Sequence, residues 1–474
     1  MAGRRHASDA IATFAASFDA SMVSAEHARI CGRALADTFA VAVAGSKEET
    51  VTRVRRYVDG LSSGTRHDGA RKGAHASVWG AFGATAPVES AALANGVAAH
   101  ALDFDDASSP MSGHPSSALL PALVALGEAR GLSGKRLVEA YLIGFDICCR
   151  LGRALDPVHY ARGWHMTSSV GTVAAAVACS YLIGLDSRRI CHAIGLAAAQ
   201  TGGSRENFGT DAKSFQVGQC NAAALRAALL AEQGFTSSIA ALDGKAGYTR
   251  LYSNGEDLSD ALEGLGQGPL EIDHSGIEVK KYPACYAVHR PLDGLFHLMR
   301  THGVEFDNVD GVNIETSSGA MALLNPEIPR SGMQGKFSMS YAVAAALVDR
   351  RIGLSTFTDE AVRRPQVRGL MNRVSAFERG GNMLPRFAVV TVGLKSGQIV
   401  SHRVDTLHGS PTSPLSDAEL LEKIEDCLRW AGSPISADSV LSVANEIAES
   451  DVRTLVARLT APIHSRRVSD GSFV

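Results

Sequence analysis

The chain has 474 residues, of which 45% are hydrophobic and 20% charged, with 46 Lys and Arg against 49 Asp and Glu. That length exceeds what one core usually holds, so two or more domains are expected. The near-neutral balance, net charge −3, excludes a strongly basic nucleic-acid binder, and the composition excludes a disordered chain. Aromatic residues make up only 6%, while Ala and Gly are abundant, which favours closely packed helices over a β-sandwich.

The first 21 residues carry two arginines but no unbroken apolar core, and Asp9 interrupts them. They make a poor signal peptide, and a cytoplasmic protein is expected. Ser24 reads as the N-cap of a helix running to Ala44, with Ile30, Leu35, Phe39 and Val41 on its apolar side and Gly45 as its stop. A second helix is predicted over 49–61 and a polar, basic loop over 62–75. Small apolar residues return over 80–100, where Pro87 is placed to open a helix.

The stretch 93–121 is the one around which the chain is organised. An Ala-rich helical pattern runs into three carboxylates, Asp103, Asp105 and Asp106. Ser108, Ser109 and Pro110 break it, and Gly113-His114-Pro115-Ser116 leads into another apolar run. Ser133 then caps a helix whose Leu137, Val138, Tyr141, Leu142 and Phe145 follow a helical period, and Asp156-Pro157 ends it. The 166–185 run is uncharged but rich in Ala, Ser, Thr and Gly. It predicts a central buried helix over 167–182 rather than a membrane span. Helical patterns continue over 188–200 and 218–233.

Past 264–269 the character changes. Residues 312–315 are β-like, and 386–404 form the clearest hairpin, two β-rich runs about Lys395-Ser396-Gly397. Helical stretches fall at 286–302 and 339–352. The fold class expected is mainly α: a large helical domain over 1–271, a smaller α+β lid over 272–405, and a helical return over 406–474. The return opens with the capping box Ser416-Asp417-Ala418-Glu419 and its helix stops at Gly432.

Acid and imidazole groups at the mouth of two small-residue helices suit either a metal ion or acid–base catalysis. Helix capping is the plainer alternative, and Asp103 stands at helical spacing from His100. His165, after Gly163-Trp164, presents an imidazole at a helix start, where anions collect. Lys213 lies in a Gly-containing loop suited to a carboxylate, and Lys280-Lys281 precede a Pro turn ending at Cys285. Tyr341 offers a phenol in a half-buried setting. The eight cysteines form no CxxC pair and read as buried thiols. The chain contains no phosphate-binding fingerprint, nucleophile elbow or HExxH motif.

The ordered set of motifs is more specific than any one of them. It runs Asn95-Gly96, His100, Asp103-Phe104-Asp105-Asp106, His114-Pro115-Ser116, Gly163-Trp164-His165, Gly209-Thr210 with Lys213, Lys280 through Cys285 to His289, and Phe337-Ser338 with Tyr341. Over roughly 24–431 this resembles the MmgE/PrpD family, which includes 2-methylcitrate dehydratase, cis-aconitate decarboxylase and iminodisuccinate epimerase. The resemblance implies a helical domain with an α+β lid, a homodimer, a cleft between domains and no metal or organic cofactor. Nucleic acid and membrane are not expected partners. The resemblance places Asp103, His114, His165, Lys213, Lys280 and Tyr341 at the family's site positions. The chemistry of these residue types suggests catalytic roles for His165, His114, Asp103 and Tyr341 and substrate binding by Lys213 and Lys280, with Cys285 and Gln216 as further substrate-binding candidates. Ala107, Gln216 and Cys285 depart from the decarboxylase pattern. The activity expected is a cofactor-independent hydratase or dehydratase of a small di- or tricarboxylate. An epimerase, a decarboxylase and an inactive carboxylate-binding protein are the alternatives.

Overall fold

A computed structural model describes residues 6–63, 74–325, 327–381 and 386–462. Its first helix, α1 (Ala7–Ala16), buries Ile11 and Phe14 and is a segment that sequence patterning passes over. Helix α2 (Ala25–Gly45) starts where the Ser24 hydroxyl accepts the His27 amide, as its cap residue requires. Its last residue packs closely on a later helix: a Cβ on Gly45 would come within 2.2 Å of the Ala98 carbonyl oxygen. Helix α3 (Glu49–Ser63) follows. The basic loop predicted over 62–75 falls largely outside the described residues. Its two ends belong to α3 and to β1 (His75–Ser77), which pairs antiparallel with β2 (Thr85–Pro87). The helix that Pro87 is placed to open is α4 (Val88–His100), with Pro87 as its N-cap residue.

Helices α5 (Pro115–Arg130), α6 (Gly134–Leu155), α7 (Met166–Leu182), α8 (Ser187–Ala198) and α9 (Asp211–Glu232) complete the first core. All 17 residues of α7 are buried, and it packs on α5, α6, α8 and α9. A helix apolar on every side must lie inside. Small side chains make this close approach feasible: a Cβ on Gly171 would sit 2.7 Å from the Ala118 methyl carbon. Helix α9 begins seven residues earlier than the 218 expected, which moves Lys213 from a loop into a helical first turn.

A second cluster of buried apolar side chains forms between Tyr282 and Val400. It contains α10 (His289–His302), α11 (Met339–Asp349) and α12 (Pro365–Met371). They accompany a four-stranded sheet in the order β4-β3-β5-β6. The strands are β3 (Val309–Thr316), β4 (Val374–Glu378), β5 (Ala388–Leu394) and β6 (Ile399–Val404). The predicted hairpin is β5–β6, closed by the Gly397 amide on the Leu394 carbonyl at 2.8 Å with Gly397 at φ 87°. Along β5 every second residue is buried, from Ala388 to Leu394, the period of a strand covered on one face. The parallel edge strand β4 and helix α12 escape the sequence reading, because each is short and its neighbours are remote in the chain.

The C-terminal segment leaves this sheet. Helix α13 (Asp417–Ala431) opens with the Ser416–Glu419 capping box and ends at Gly432, φ 61°. With α14 (Ala437–Asn445) and α15 (Val452–Leu459) it packs on α2 and α5. Its Leu420, Ile424, Val440 and Leu455 belong to the first core. Among the described residues no helix is long and apolar enough to cross a membrane. All eight cysteines are buried and free.

The docking of this return is tight at Gly134, whose amide donates to the Ser450 carbonyl at 2.8 Å. A Cβ there would lie 1.6 Å from the Ile447 carbonyl oxygen. Gly134→Ala is expected to lower the urea midpoint by an amount equivalent to about 1–3 kcal/mol. Gly60→Ala, on α3 with open space around it, is expected to raise it by about 0.5–1 kcal/mol. Equal midpoints for the two variants would overturn this account of the C-terminal packing.

Candidate active site

Helix α4 ends at His100, and the chain crosses to α5 through residues 101–114. Asp103 sits in the left-handed region at φ 55°, a conformation that Asp tolerates better than most side chains. Three buried lysines hold this turn by its carbonyls. Lys336 Nζ donates to the Leu102 oxygen at 2.6 Å, Lys280 Nζ to Asp103 O at 2.6 Å, and Lys423 Nζ to Phe104 O at 2.9 Å. Lys280 and Lys336 arrive from the side of the second core and Lys423 from α13, where it also pairs with buried Asp37 at 2.6 Å. An antiparallel bridge between Ala107 and Glu278 ties the same loop to the chain entering the second core.

The Asp103 carboxylate collects the charge. Lys213 Nζ lies 2.7 Å from Oδ1, Lys280 Nζ 3.2 Å from Oδ2, and His114 Nε2 3.9 Å from Oδ1. Burial pushes this carboxyl upward, but Lys213 and Lys280 outweigh it and hold the group well below the usual carboxylate range. Burial likewise works against the Lys213 ammonium, yet the Asp103 charge raises it. The Lys213, His114 and Asp103 side chains are 16%, 15% and 14% exposed, against 2% for Lys280. A ligand entering the cluster therefore meets the first three. Lys336 has no such carboxylate contact, and burial lowers its ammonium to about 8.

Two helix starts present the imidazoles. His114 is the N-cap of α5 and His165 the N-cap of α7. The turn before His165 is pinned by Trp164 packing on Tyr252, ring centroids 4.4 Å apart, and by the His165 amide on Gly203 O at 3.0 Å. The hydrogen bonds assign the tautomers. Gln216 Nε2 donates to the Ser204 carbonyl at 3.0 Å, so its Oε1 accepts from His165 Nδ1 at 2.7 Å. His114 Nδ1 donates to the Asp106 carbonyl at 2.8 Å. Each ring therefore carries its lone pair on Nε2. Burial drives the His114 imidazolium down to about 3, and burial with the neighbouring His100 and Lys213 holds His165 well below the usual range. Both are neutral bases at pH 7.

Of the residues singled out from sequence, the structure thus brings together Asp103, His114, Lys213 and Lys280. His165 and Gln216 lie beside them, linked through the His100 ring at 5.7 Å from His165. Cys285 is buried and feels the charges of Asp103, Lys280 and Lys213; burial chiefly lifts its thiol to about 11. Tyr341 is placed differently. It is fully buried in the second core, not half-buried; its hydroxyl donates to the Thr356 carbonyl and its ring packs on Phe357. No contact with the histidines is found among the described residues, and burial lifts its phenol to about 12. A direct hydrogen bond to substrate has no support in this geometry. His100 does not pair with Asp103 as its helical spacing suggested. Its Nδ1 lies 2.8 Å from Asp105 Oδ2, because α4 stops at His100 and the turn carries Asp103 away. Lys336 and Lys423 carry no such signal in the sequence: Lys336 stands among Gly335, Phe337 and Ser338 and Lys423 between Glu422 and Glu425, as surface lysines often do.

His100, Asp103, Asp105 and His114 place four donor atoms within 4.8 Å of one another. The charges work against a cation there, since Asp103 already faces two ammonium groups and Asp105 faces His100.

Asp106 turns away from the cluster, accepting the Ser116 amide at 3.2 Å beside the Ser116 hydroxyl, which meets Tyr141 OH at 2.8 Å. Burial lifts its carboxyl to about 8. The folded protein then keeps a proton that the unfolded chain loses near pH 3.9. Stability from this group falls as pH rises between those values. Asp106→Asn mimics the neutral acid, so its urea midpoint should gain on the wild type from pH 5 to about 8 and then level off. A constant difference across that range would show that Asp106 is ionised when folded.

The MmgE/PrpD N-terminal domain model matches residues 9–261 and the MmgE/PrpD C-terminal domain model matches residues 282–449. The chain is 29% identical over 401 residues to cis-aconitate decarboxylase of Homo sapiens, covering 81% of this chain and 82% of that protein. It is 27% identical over 442 residues to the Mus musculus cis-aconitate decarboxylase, covering 90% and 88%. The Aspergillus terreus cis-aconitate decarboxylase is 25% identical over 405 residues, with 79% and 82% covered. Helical core, sheet-bearing second core and ordered site residues together agree with these matches: the chain belongs to the MmgE/PrpD family.

Proposed function

We propose that this protein is a cofactor-independent lyase that removes water from a small di- or tricarboxylate, starting with proton abstraction next to a carboxylate. The observation that carries this reading is a pair of neutral imidazoles, each with a bare Nε2, beside two ammonium groups gathered on one carboxylate. Removing a proton alpha to a carboxylate builds negative charge on its oxygens. Lys213 supplies the facing charge where the ligand enters, and Lys280 adds to it from behind Asp103. Held-down imidazolium values make His165 and His114 bases first and acids only after they have taken a proton. In the proposed cycle the C–H bond breaks and its proton goes to an imidazole Nε2. The adjacent C–O bond then breaks with its electron pair on oxygen, and the same proton leaves with the hydroxyl as water. Gln216 fixes the His165 ring, and Asp103 holds the lysines apart at the spacing of a carboxylate. Decarboxylation is the second reading, favoured by the activity named for the human, mouse and Aspergillus relatives.

The deciding experiment is proton NMR in D₂O, with chelator present, on citrate, 2-methylcitrate, cis-aconitate, tartrates and an amino-dicarboxylate. Loss of water supports the dehydratase. Deuterium entry with inversion would replace it by an epimerase, and loss of a carboxyl group by a decarboxylase. No exchange with any of them would favour a carboxylate-binding protein. On the substrate so found, His165→Gln is expected to lower kcat about 10²–10⁴-fold. Lys213→Met should raise KM at least tenfold, because it removes a cation that meets the ground-state carboxylate. An imidazole that stays neutral to low pH puts the acid limb of kcat/KM below the unperturbed histidine value of about 6.5. A limb at or above that value would contradict the neutral-base assignment.

A further inference from the structure

We propose that His100, held by Asp105, is a positioning residue that takes the abstracted proton over from the outer histidines and keeps it beside the Asp105 carboxylate until it leaves. The inference rests on the lyase reading above, and on a dyad to which neither the motif nor that reading gives a role.

Its place in the cluster is the first argument. The His100 ring lies between the other two, edge to face with His114 at 4.7 Å and tilted against His165 at 5.7 Å. Its accessibility is the second. The His100 and Asp105 side chains are both 0% exposed, whereas His114 is 15% exposed, so substrate reaches His100 only through its neighbours. The third argument is hydrogen bonding. His100 Nδ1 donates to Asp105 Oδ2 at 2.8 Å, which leaves the lone pair on Nε2. His100 Nε2 and Asp105 Oδ1 are buried and have no hydrogen-bond partner among the described residues. Buried polar atoms left unpaired are costly and call for an explanation, and an arriving proton provides one. Asp105 Oδ2 also lies 3.4 Å from His114 Nδ1, so one carboxylate faces both imidazoles and balances a positive charge on either.

The transfer is simple in atoms. The proton taken by His114 Nε2 passes to His100 Nε2 when one ring turns against the other, their centroids being 4.7 Å apart. His100 keeps its Nδ1–H on Asp105 and becomes an imidazolium beside a carboxylate. The proton returns by the same route to the departing hydroxyl. Lys213, Lys280 and Asp103 are the other charged groups of the cluster, and the two ammonium groups are paired with the Asp103 carboxylate.

The test is a double-mutant cycle on the active enzyme with His100→Gln and Asp105→Asn, reading kcat, KM and the pH profile. Each single variant should lower kcat about 10²-fold with KM within about twofold, and should displace the acid limb. The double variant should be no slower than the worse single variant, because the pair acts as one unit. Normal kcat with an unchanged limb in His100→Gln would overturn the proposal, and so would additive losses with an unmoved limb. If the variants fail to fold, the wild type is read instead: its imidazole N–H resonances should include a low-field signal that exchanges with solvent more slowly than those of His6, His27 and His408, whose carboxylate-bound rings are partly exposed while His100 is 0% exposed, and its absence would overturn the dyad. Wild-type protein that turns over none of the substrates would count against the lyase reading, while the low-field signal would still test the dyad.

Discussion

The site depends on three ammonium groups bound to three successive carbonyls. Without Lys336, Lys280 and Lys423 on Leu102, Asp103 and Phe104, nothing would offset the left-handed backbone of Asp103 or the desolvation of the turn. Each lysine pays its own burial cost through a carbonyl bond, and two of them gain a carboxylate besides. Two of these cations come from the side of the second core and one from the C-terminal return, so this loop is shaped only when all three parts of the chain are in place. That is a reason for the return to exist: α13 brings Lys423 under the loop from a position more than 300 residues along the chain.

This arrangement makes the electrostatics specific. Asp103 stays ionised against its burial because Lys213 and Lys280 face it. Asp106, three residues on, lacks a cation and keeps its proton to about 8. Two carboxylates of one motif thus take opposite charge states. The imidazoles follow the same logic: burial first, helped by His100 and by Lys280 at His114 and Lys213 at His165, keeps them neutral with their lone pairs on Nε2. A cluster rich in both acids and cations is suited to a polyanion, which replaces one internal carboxylate partner by its own.

Small residues make the site geometrically attainable. Helix α7 is buried on all sides, and a Cβ on Gly113 would lie 2.9 Å from Thr167 Oγ1. The two histidine-capped helix starts can therefore stand side by side, with the His114 amide donating to Thr167 Oγ1 at 3.2 Å. A bulky residue on either helix would part the two imidazoles before it touched them.

Local chemistry alone determined much of this protein. Caps at Ser24, Ser133 and Ser416, the stop at Gly432, the uncharged run of α7 and the β5–β6 hairpin are all short-range signals, and the helices and strands follow them. The ordered acids, histidines and lysines also marked the family, and several of them meet in one buried cluster. Tertiary structure decided what those residues do. Period alone paired His100 with Asp103, but the end of α4 turned it to Asp105. Tyr341 sat in a motif beside the site, yet the packing of the second core spent its hydroxyl on the Thr356 carbonyl. Lys336 and Lys423 gave no signal in sequence, because a buried lysine differs from a surface lysine only in the partners that distant segments bring to it. Short-range preferences act over a few residues, whereas charge state, tautomer and desolvation are set by neighbours hundreds of residues away.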